Sequence, residues 1–321
     1  MIPVEHAHLK IAAATHPGMQ GKPNEDRYSV SAYRLTSDDR TPSVLAILAD
    51  GIGGHRGGEV AAALAVANIN QYVAENSSTH PIQILKQALT HANQIILNHS
   101  RRDPSLTGMG TTCVCAWVVG DQLYAASVGD SRLYLQRGVK IIRLTTDHTW
   151  IQEALAQGTL TPDQTAGHPN AHIIRRFLGS QNALNPDTRL RLSPAESDNQ
   201  AEANQGLRLL TGDRLVLCTD GLTDLVKDAE ILDVLRINRF DLSPTYLVNL
   251  ANQRGGHDNI TVITMEVPQP AHITRPIRLS PQPGITPAQK ARPSIVSWLR
   301  VMLLLVAIIL MGLLLVYTFI H

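Results

Sequence analysis

The chain has 321 residues, 44% of them apolar, with 28 Lys+Arg against 27 Asp+Glu. That is enough for one large body with a core, and the balanced charge excludes the broad basic field expected of a nucleic-acid binder. The opening stretch "MIPVEHAHLK" has no apolar h-region, so no secretory signal is expected.

In chain order, "LKIAAAT" and "RYSVSAY" read as the first strands. "SVLAILAD" is a short unbroken apolar run ending in Asp50, the pattern of a buried strand. "GGEVAAALAVANINQYVAE" and "PIQILKQALTHANQIILNHSR" carry apolar residues three and four apart and predict two long helices. "TTCVCAWVV" and "QLYAASV" join through Gly120-Asp121, and "RLYLQ" and "VKIIRL" through Arg137-Gly138, as hairpins. Cys113 and Cys115 alternate within the first of these strands, so they share one face and belong to a core; Cys218 stands apart, no C-x-x-C pair occurs, and a reducing compartment fits.

Residues 147–179 have a helical pattern interrupted by Gly, Pro and His, which suggests a mobile flap. Residues 192–206, "LSPAESDNQAEANQG", are polar and aperiodic and predict a flexible loop. "DRLVLCTD" is another strand ending in an aspartate, and "ITVITMEV" closes the body. Between them "SPTYLVNLANQRG" predicts a helix with Ser243 as N-cap, Pro244 at its first position and Gly255 past its end. Strands come in meanders and helices in pairs, so the expectation is an α+β body with mostly antiparallel sheets covered by helix pairs, not a doubly wound parallel sheet.

Three regions follow: a body over 1–266, a tether over 267–297 and a single transmembrane helix over 298–321. The tether holds seven prolines and few large apolar residues. Residues 301–320 contain no charge, and twenty helical residues span about 30 Å, the thickness of a bilayer's hydrocarbon core. Residues 267–321 hold five basic residues and no acid, which leaves 23 basic against 27 acidic residues in the body, a net of −4. Lys290, Arg292 and Arg300 precede the apolar span, so the positive-inside rule places the body in the cytoplasm, on a single-pass anchor in the cell membrane.

The stretch "ADGIGGHRGGEVAA" invites a nucleotide reading, because Gly51, Gly53 and Gly57 lie between a strand and a helix. Asp50 argues against it, since a carboxylate there repels a pyrophosphate unless a cation comes between. No G-K-[ST] is present, which excludes a Walker loop. Acids beside small residues recur in "NED", "ADG", "VGDS", "CTDG" and "GGHDN". Several carboxylates converging at one end of a sheet repel one another, and hard divalent cations relieve that repulsion. Oxygen-only ligands select Mg²⁺ or Mn²⁺.

Taken together and in order, "NEDR", "LADGIGGH", "SVGDSRLYL", "LCTDGLTDLV" and "GGHDNITVI" resemble the motifs of the PP2C-type (PPM) metal-dependent serine/threonine phosphatases in their compact bacterial form. The resemblance covers residues 8–266 and makes 147–179 that family's flap region. It implies a β-sandwich of two antiparallel sheets flanked by antiparallel helix pairs, in four layers. It implies two Mn²⁺ or Mg²⁺ ions with room for a third. Asp50 would bridge both ions, Asp220 and Asp258 would complete one, and Glu25 with the carbonyl of Gly51 the other. Asp26 would orient the attacking water, and Asp130 matches the aspartate of the third, weaker site. Phosphorylated proteins would be the substrates, with a membrane Ser/Thr kinase as a partner whose action is reversed. No C-x₅-R nucleophile follows Cys113 or Cys218, in keeping with direct hydrolysis.

One position departs from the family. The arginine that commonly stands four residues before the glutamate of "NED" is Gly21 here, with Lys22 beside it. Lys22 either grips the substrate phosphate as a point charge or is a surface lysine in a turn. His55 either donates a proton to the leaving group or caps the next helix. The departure at Gly21 motivates an alternative function, a pseudophosphatase that docks phosphoproteins or kinases; a small-phosphoester hydrolase is a third.

Overall fold

The computed structural model describes residues 1–52, 56–76, 80–165 and 167–269. The transmembrane reading and nearly all of the tether therefore lie outside the described residues. Among the described residues no helix is long and apolar enough to cross a membrane.

Two antiparallel sheets form the centre. The first has the order β1 (Ile2–Pro3), β3 (Arg27–Arg34), β4 (Pro42–Ala49), β7 (Cys113–Val119), β8 (Gln122–Val128) and β11 (Leu207–Arg208). The second runs β10 (Lys140–Arg143), β9 (Arg132–Arg137), β12 (Arg214–Cys218), β13 (Ile260–Glu266) and β2 (Lys10–His16). A small ladder pairs β5 (Gly51–Ile52) with β6 (Gly110–Thr111). The helices are α1 (Arg56–Glu75), α2 (Pro81–Arg102), α3 (Trp150–Ala156), α4 (Asp198–Ala203), α5 (Asp220–Thr223), α6 (Asp228–Ile237) and α7 (Ser243–Gln253).

The layering follows from the two-residue period of the strands. In β4, Val44, Ala46 and Leu48 face the second sheet, while Leu45, Ile47 and Ala49 face α1 and α2. In β12, Leu215 and Leu217 join the layer between the sheets, and Val216 and Cys218 join the layer under α6 and α7. Both faces of these strands are covered, which is why "SVLAILA" shows no polar alternation. The outcome is the helix-sheet-sheet-helix arrangement expected from the sequence. Cys113 and Cys115 lie on one face, fully buried, with their sulfurs 3.7 Å apart. Trp117 beside them is buried and donates Nε1–H to Ser43 Oγ at 2.6 Å.

Two local expectations are corrected. Residues 192–206 are not all loop: α4 forms there, with a capping box between Ser197 and Gln200 and with Ala201 fully buried. The S-x-x-Q spacing was the signal, overlooked beneath a polar composition. Ser243 is not an N-cap but the first residue of α7; Leu242 precedes it, and its hydroxyl donates back to the Arg239 carbonyl at 2.9 Å. Among its described residues the 147–179 segment holds the short helix α3, capped by Thr149, and a 3₁₀ turn at Pro162–Gln164; a bridge between Thr149 and Ile174 closes the segment on itself, and one between Leu178 and Thr111 ties its end to the body.

Candidate metal centre

The strand register brings five aspartates to one end of the sandwich. Asp26 leads into β3 and Asp50 ends β4, where Arg27 pairs with Ala49. Asp130 sits in the turn between β8 and β9. Asp220 opens α5 after β12, and Asp258 precedes β13, at the end where Cys218 pairs with Val262 and Arg132. Each acid stands where an apolar strand emerges from the core.

Glycine makes this convergence sterically open. A Cβ on Gly221, next to Asp220, would lie 2.0 Å from the carbonyl oxygen of Asn259, so only glycine lets these two loops touch. A Cβ on Gly58 would lie 2.5 Å from Glu25 Oε2 and 2.8 Å from the Gly51 carbonyl carbon. The start of α1, the Gly51 turn and Glu25 are thus stacked in contact. The glycines of "ADGIGGHRGGEVAA" serve close packing around carboxylates.

Hydroxyls and an amide set the acids in place. Asp26 Oδ2 accepts from Thr261 Oγ1 at 2.6 Å and from Thr219 Oγ1 at 3.1 Å. Asn259 Oδ1 accepts from the Glu25 N–H at 2.8 Å, while its Nδ2 donates to the carbonyls of Pro17 and Pro23, both at 3.1 Å. The Asp50 carbonyl accepts from Thr112 N–H at 2.8 Å and Thr111 Oγ1 at 2.7 Å. The Asp130 turn rests on a buried histidine. Gly129 N–H donates to His148 Nδ1 at 2.9 Å, which leaves Nε2 to donate to Asp187 Oδ2 at 3.1 Å. Burial alone would raise the Asp187 carboxyl, but hydrogen bonds from His148 and Arg189 hold it well below the usual carboxylate range.

The electrostatics are those of carboxylates lacking a counter-charge. Burial, then Asp26, Asp220, Asp130 and Asp258, push Asp50 well above its ordinary value. Burial, opposed by the Thr261 hydrogen bond and reinforced by Asp220, pushes Asp26 up to about 7. Burial and Asp220 push Asp130 up to about 8; burial and Asp224 push Asp220 up to about 6. Oδ1 of Asp26, of Asp130 and of Asp220 is buried without a hydrogen-bond partner. Unpaired buried carboxylate oxygens of this kind are costly alone and well matched to hard divalent ions. The residues present fit Mn²⁺ or Mg²⁺.

A profile of the family described as Protein phosphatase 2C matches residues 16–242. The chain belongs to the protein phosphatase 2C family. The matched stretch ends before Asp258, yet β13 pairs along its whole length with β2 and over Val262–Glu266 with β12, so the second sheet continues beyond the matched stretch. The chain is 32% identical over 259 residues to the serine/threonine protein phosphatase PstP of Mycobacterium tuberculosis, an alignment covering 81% of this chain and 45% of that protein. It thus spans about half the length of that relative. It is 33% identical to the serine/threonine phosphatase stp of Listeria monocytogenes over 248 residues, covering 76% of this chain and 90% of the relative. Among solved structures, the Streptococcus agalactiae serine/threonine phosphatase superposes with a TM-score of 0.69 at 31% identity, covering 81% of this chain and 99% of the other. The PstP catalytic domain in complex with two manganese ions gives 0.64, also at 31% identity and with the same coverage. PP2C phosphatases use Mn²⁺ or Mg²⁺, and the donor set described above is of that type.

The structure brings together Asp26, Asp50, Asp130, Asp220 and Asp258, with Gly51 and Glu25 packed beside Asp50 through Gly58. His55 lies outside the described residues. Lys22 is exposed and makes no hydrogen bond or ion pair with the described residues, and Gly21 beside it, at φ +69°, faces open space. The sequence reading missed Thr219, Thr261, Asn259 and the His148–Asp187 pair. Thr219 and Asn259 each adjoin a motif aspartate, but His148 gave no sequence signal, since its partners lie 19 and 39 residues away.

Proposed function

We propose that this chain hydrolyses phosphoserine and phosphothreonine on proteins, using divalent ions held by Asp50, Asp220, Asp258, Glu25 and the Gly51 carbonyl. One observation carries the reading: five aspartates converge at the end of one sandwich, and three of them keep a buried oxygen unpaired. The names of the relatives support it. When bound, the ions supply positive charge to the phosphoryl oxygens and make a nucleophile available at neutral pH.

The chain's own residues supply positioning. Asp26 is clamped through Oδ2 by Thr219 and Thr261, so Oδ1 is the atom left to accept a proton from an approaching water. Asp130, fixed through Gly129 and His148, offers a place for a third ion. Fixed groups of this kind act by orientation, which suits a loose phosphoryl-transfer transition state. A cleft of about 890 Å³ beside the flap is lined by Arg143, Arg176, Arg189 and Arg191 and equally by the acids Asp147, Glu153, Glu196, Asp198 and Asp228. None of the five clustered aspartates lines it, so within this proposal it takes residues flanking a phosphorylated side chain rather than the phosphate itself. Arg176 has no partner among the described residues.

The membrane reading is part of the same proposal. It is supported by the uncharged span 301–320 and the basic residues before it, and it places the enzyme beside a membrane kinase, where tethering raises local concentration. The full chain with millimolar Mn²⁺ should release phosphate from a phosphothreonine peptide, and chelation should stop it. A folded preparation that stays inactive with Mn²⁺ would favour the docking alternative. Alkaline extraction should leave the full chain in the membrane fraction; release into the soluble fraction would remove the anchor from the proposal.

A further inference from the structure

Helix α2 carries a polar side chain where its pattern calls for an apolar one. Its buried residues run from Ile84 to Leu97, and all of them are aliphatic except Asn93. Asn93 is only 2% exposed. A buried amide is unfavourable unless its polar atoms are paired. Asn93 pairs them with the end of the flap. Its Oδ1 accepts from the Gly179 N–H at 2.7 Å, and its Nδ2 makes a longer contact, 3.4 Å, to the Ser180 carbonyl.

Gly179 is shaped to receive that amide. Its φ is +98°, and a Cβ there would lie 2.5 Å from the Met109 carbonyl oxygen and 3.0 Å from Ile96 Cγ2. Only glycine brings the end of the flap this close to α2. One residue earlier, Leu178 exchanges two backbone hydrogen bonds with Thr111, at 2.8 and 3.0 Å. Thr111 pairs with Gly51 in the β5–β6 ladder, and its Oγ1 donates to the Asp50 carbonyl at 2.7 Å. Leu178 therefore adds an outer rung to the ladder that carries the Asp50 and Gly51 main chain. Asn93 fixes the outer side of that rung to a helix packed on the core.

We propose that Asn93 is a positioning residue for the metal centre: from α2, through Gly179, Leu178 and Thr111, it holds the Asp50–Gly51 main chain where the ions need it. It touches neither an ion nor a substrate. The inference rests on the reading of Asp50 and the Gly51 carbonyl as metal ligands. Asn93→Leu keeps roughly the volume and the helix, but it leaves the Gly179 N–H without its acceptor. That peptide then gains by turning away from α2 toward water, and the Leu178–Thr111 rung loses its outer support.

Calorimetric titration of the full chain with Mn²⁺, together with hydrogen exchange read by mass spectrometry, tests it. Asn93→Leu should bind Mn²⁺ about tenfold more weakly, the scale of losing a group that orients metal ligands. Peptides containing Thr111 and Gly179 should exchange roughly tenfold faster. Saturating Mn²⁺ should bring kcat back to within about twofold of wild type, with KM for a phosphothreonine peptide unchanged. Asn93→Ala, smaller and a better helix former, should show the same changes and guards against overpacking by leucine. Leu89→Ala, one turn away on the same face of α2, controls for lost stability. It should unfold more readily yet bind Mn²⁺ as wild type does. Thr111→Val cuts the same path at Asp50, so the double variant should lose less than the product of the two single losses. Wild-type Mn²⁺ affinity in both Asn93 variants, an equal loss in Leu89→Ala, or a fully multiplicative double variant would overturn the inference and leave the phosphatase reading intact. No Mn²⁺ bound by the wild type would overturn both.

Discussion

The interior of β4 and the residue that follows it make opposite contributions to the same fold. Val44 through Ala49 are completely buried and pack into two apolar layers. One step further, Asp50 enters a set of carboxylates that raise one another's affinity for protons. The first region gains from leaving water; the second is held in unfavourable company by the rigidity of the first. A stable sandwich can carry a repulsive end, and that end then has a built-in demand for cations.

The largest expected effect comes from removing the charge at the centre of the repulsive end. Asp50→Asn should lower Mn²⁺-dependent turnover by roughly 10⁴-fold, the scale seen when one member of a cooperating set is lost. The same variant should melt higher than wild type when both are stripped of metal, because one mutually repelling carboxylate is gone. A lower melting temperature in the metal-free variant would break the contrast. The matching change in the apolar region is Trp117→Ala. It should cost about 3–5 kcal/mol of stability by denaturant titration, yet leave the number of bound Mn²⁺ ions unchanged below its unfolding transition. A change in ion count would show that the two regions are not separable.

Proton linkage sharpens the comparison at intermediate scale. Asp26, Asp130 and Asp220 have folded-state values raised to about 7, 8 and 6, above the unfolded value of about 3.9. A raised carboxyl favours the folded state fully below its unfolded value and loses that contribution as pH climbs through the folded one. Metal-free protein should therefore lose thermal stability from pH 5 to pH 8. With saturating Mn²⁺ the trend should reverse, since ions bind the deprotonated carboxylates and stabilise the fold that holds them. Melting curves in chelator and in Mn²⁺ across that range check both signs.

The legibility of the sequence divides along the same line. The apolar layers could be read because β4, β7 and β12 are short unbroken apolar runs and α1 and α2 place apolar residues three and four apart. The convergence of Asp50, Asp130, Asp220 and Asp258 could be read because each stands beside an apolar run with a glycine close by. What escaped was held by partners distant in the chain or masked by composition. His148 touches Gly129 and Asp187 in space only, and Thr261 reaches Asp26 across 235 residues. Helix α4 hides in a polar stretch because only Ala201 among its residues is buried, so no amphipathic stripe exists to be seen.

The smallest expected effect concerns Lys22, where the repulsive end meets solvent. A substrate phosphate brings further negative charge to a centre rich in carboxylates, so a nearby cation would help. Lys22 is exposed and has no described partner that would hold its ammonium over the site. The neighbouring Gly21 takes a left-handed turn, and a Cβ there would meet nothing within 4 Å, so that side of the turn faces open space. A flexible exposed lysine contributes about 0–1 kcal/mol to an ionic contact, because water screens it and ordering its side chain is unfavourable. Lys22→Ala should then raise KM by about threefold at most with kcat unchanged, and the difference should vanish at high salt. A loss in kcat/KM of tenfold or more would mean that substrate binding draws this loop inward, making Lys22 the counterpart of the arginine that Gly21 replaces.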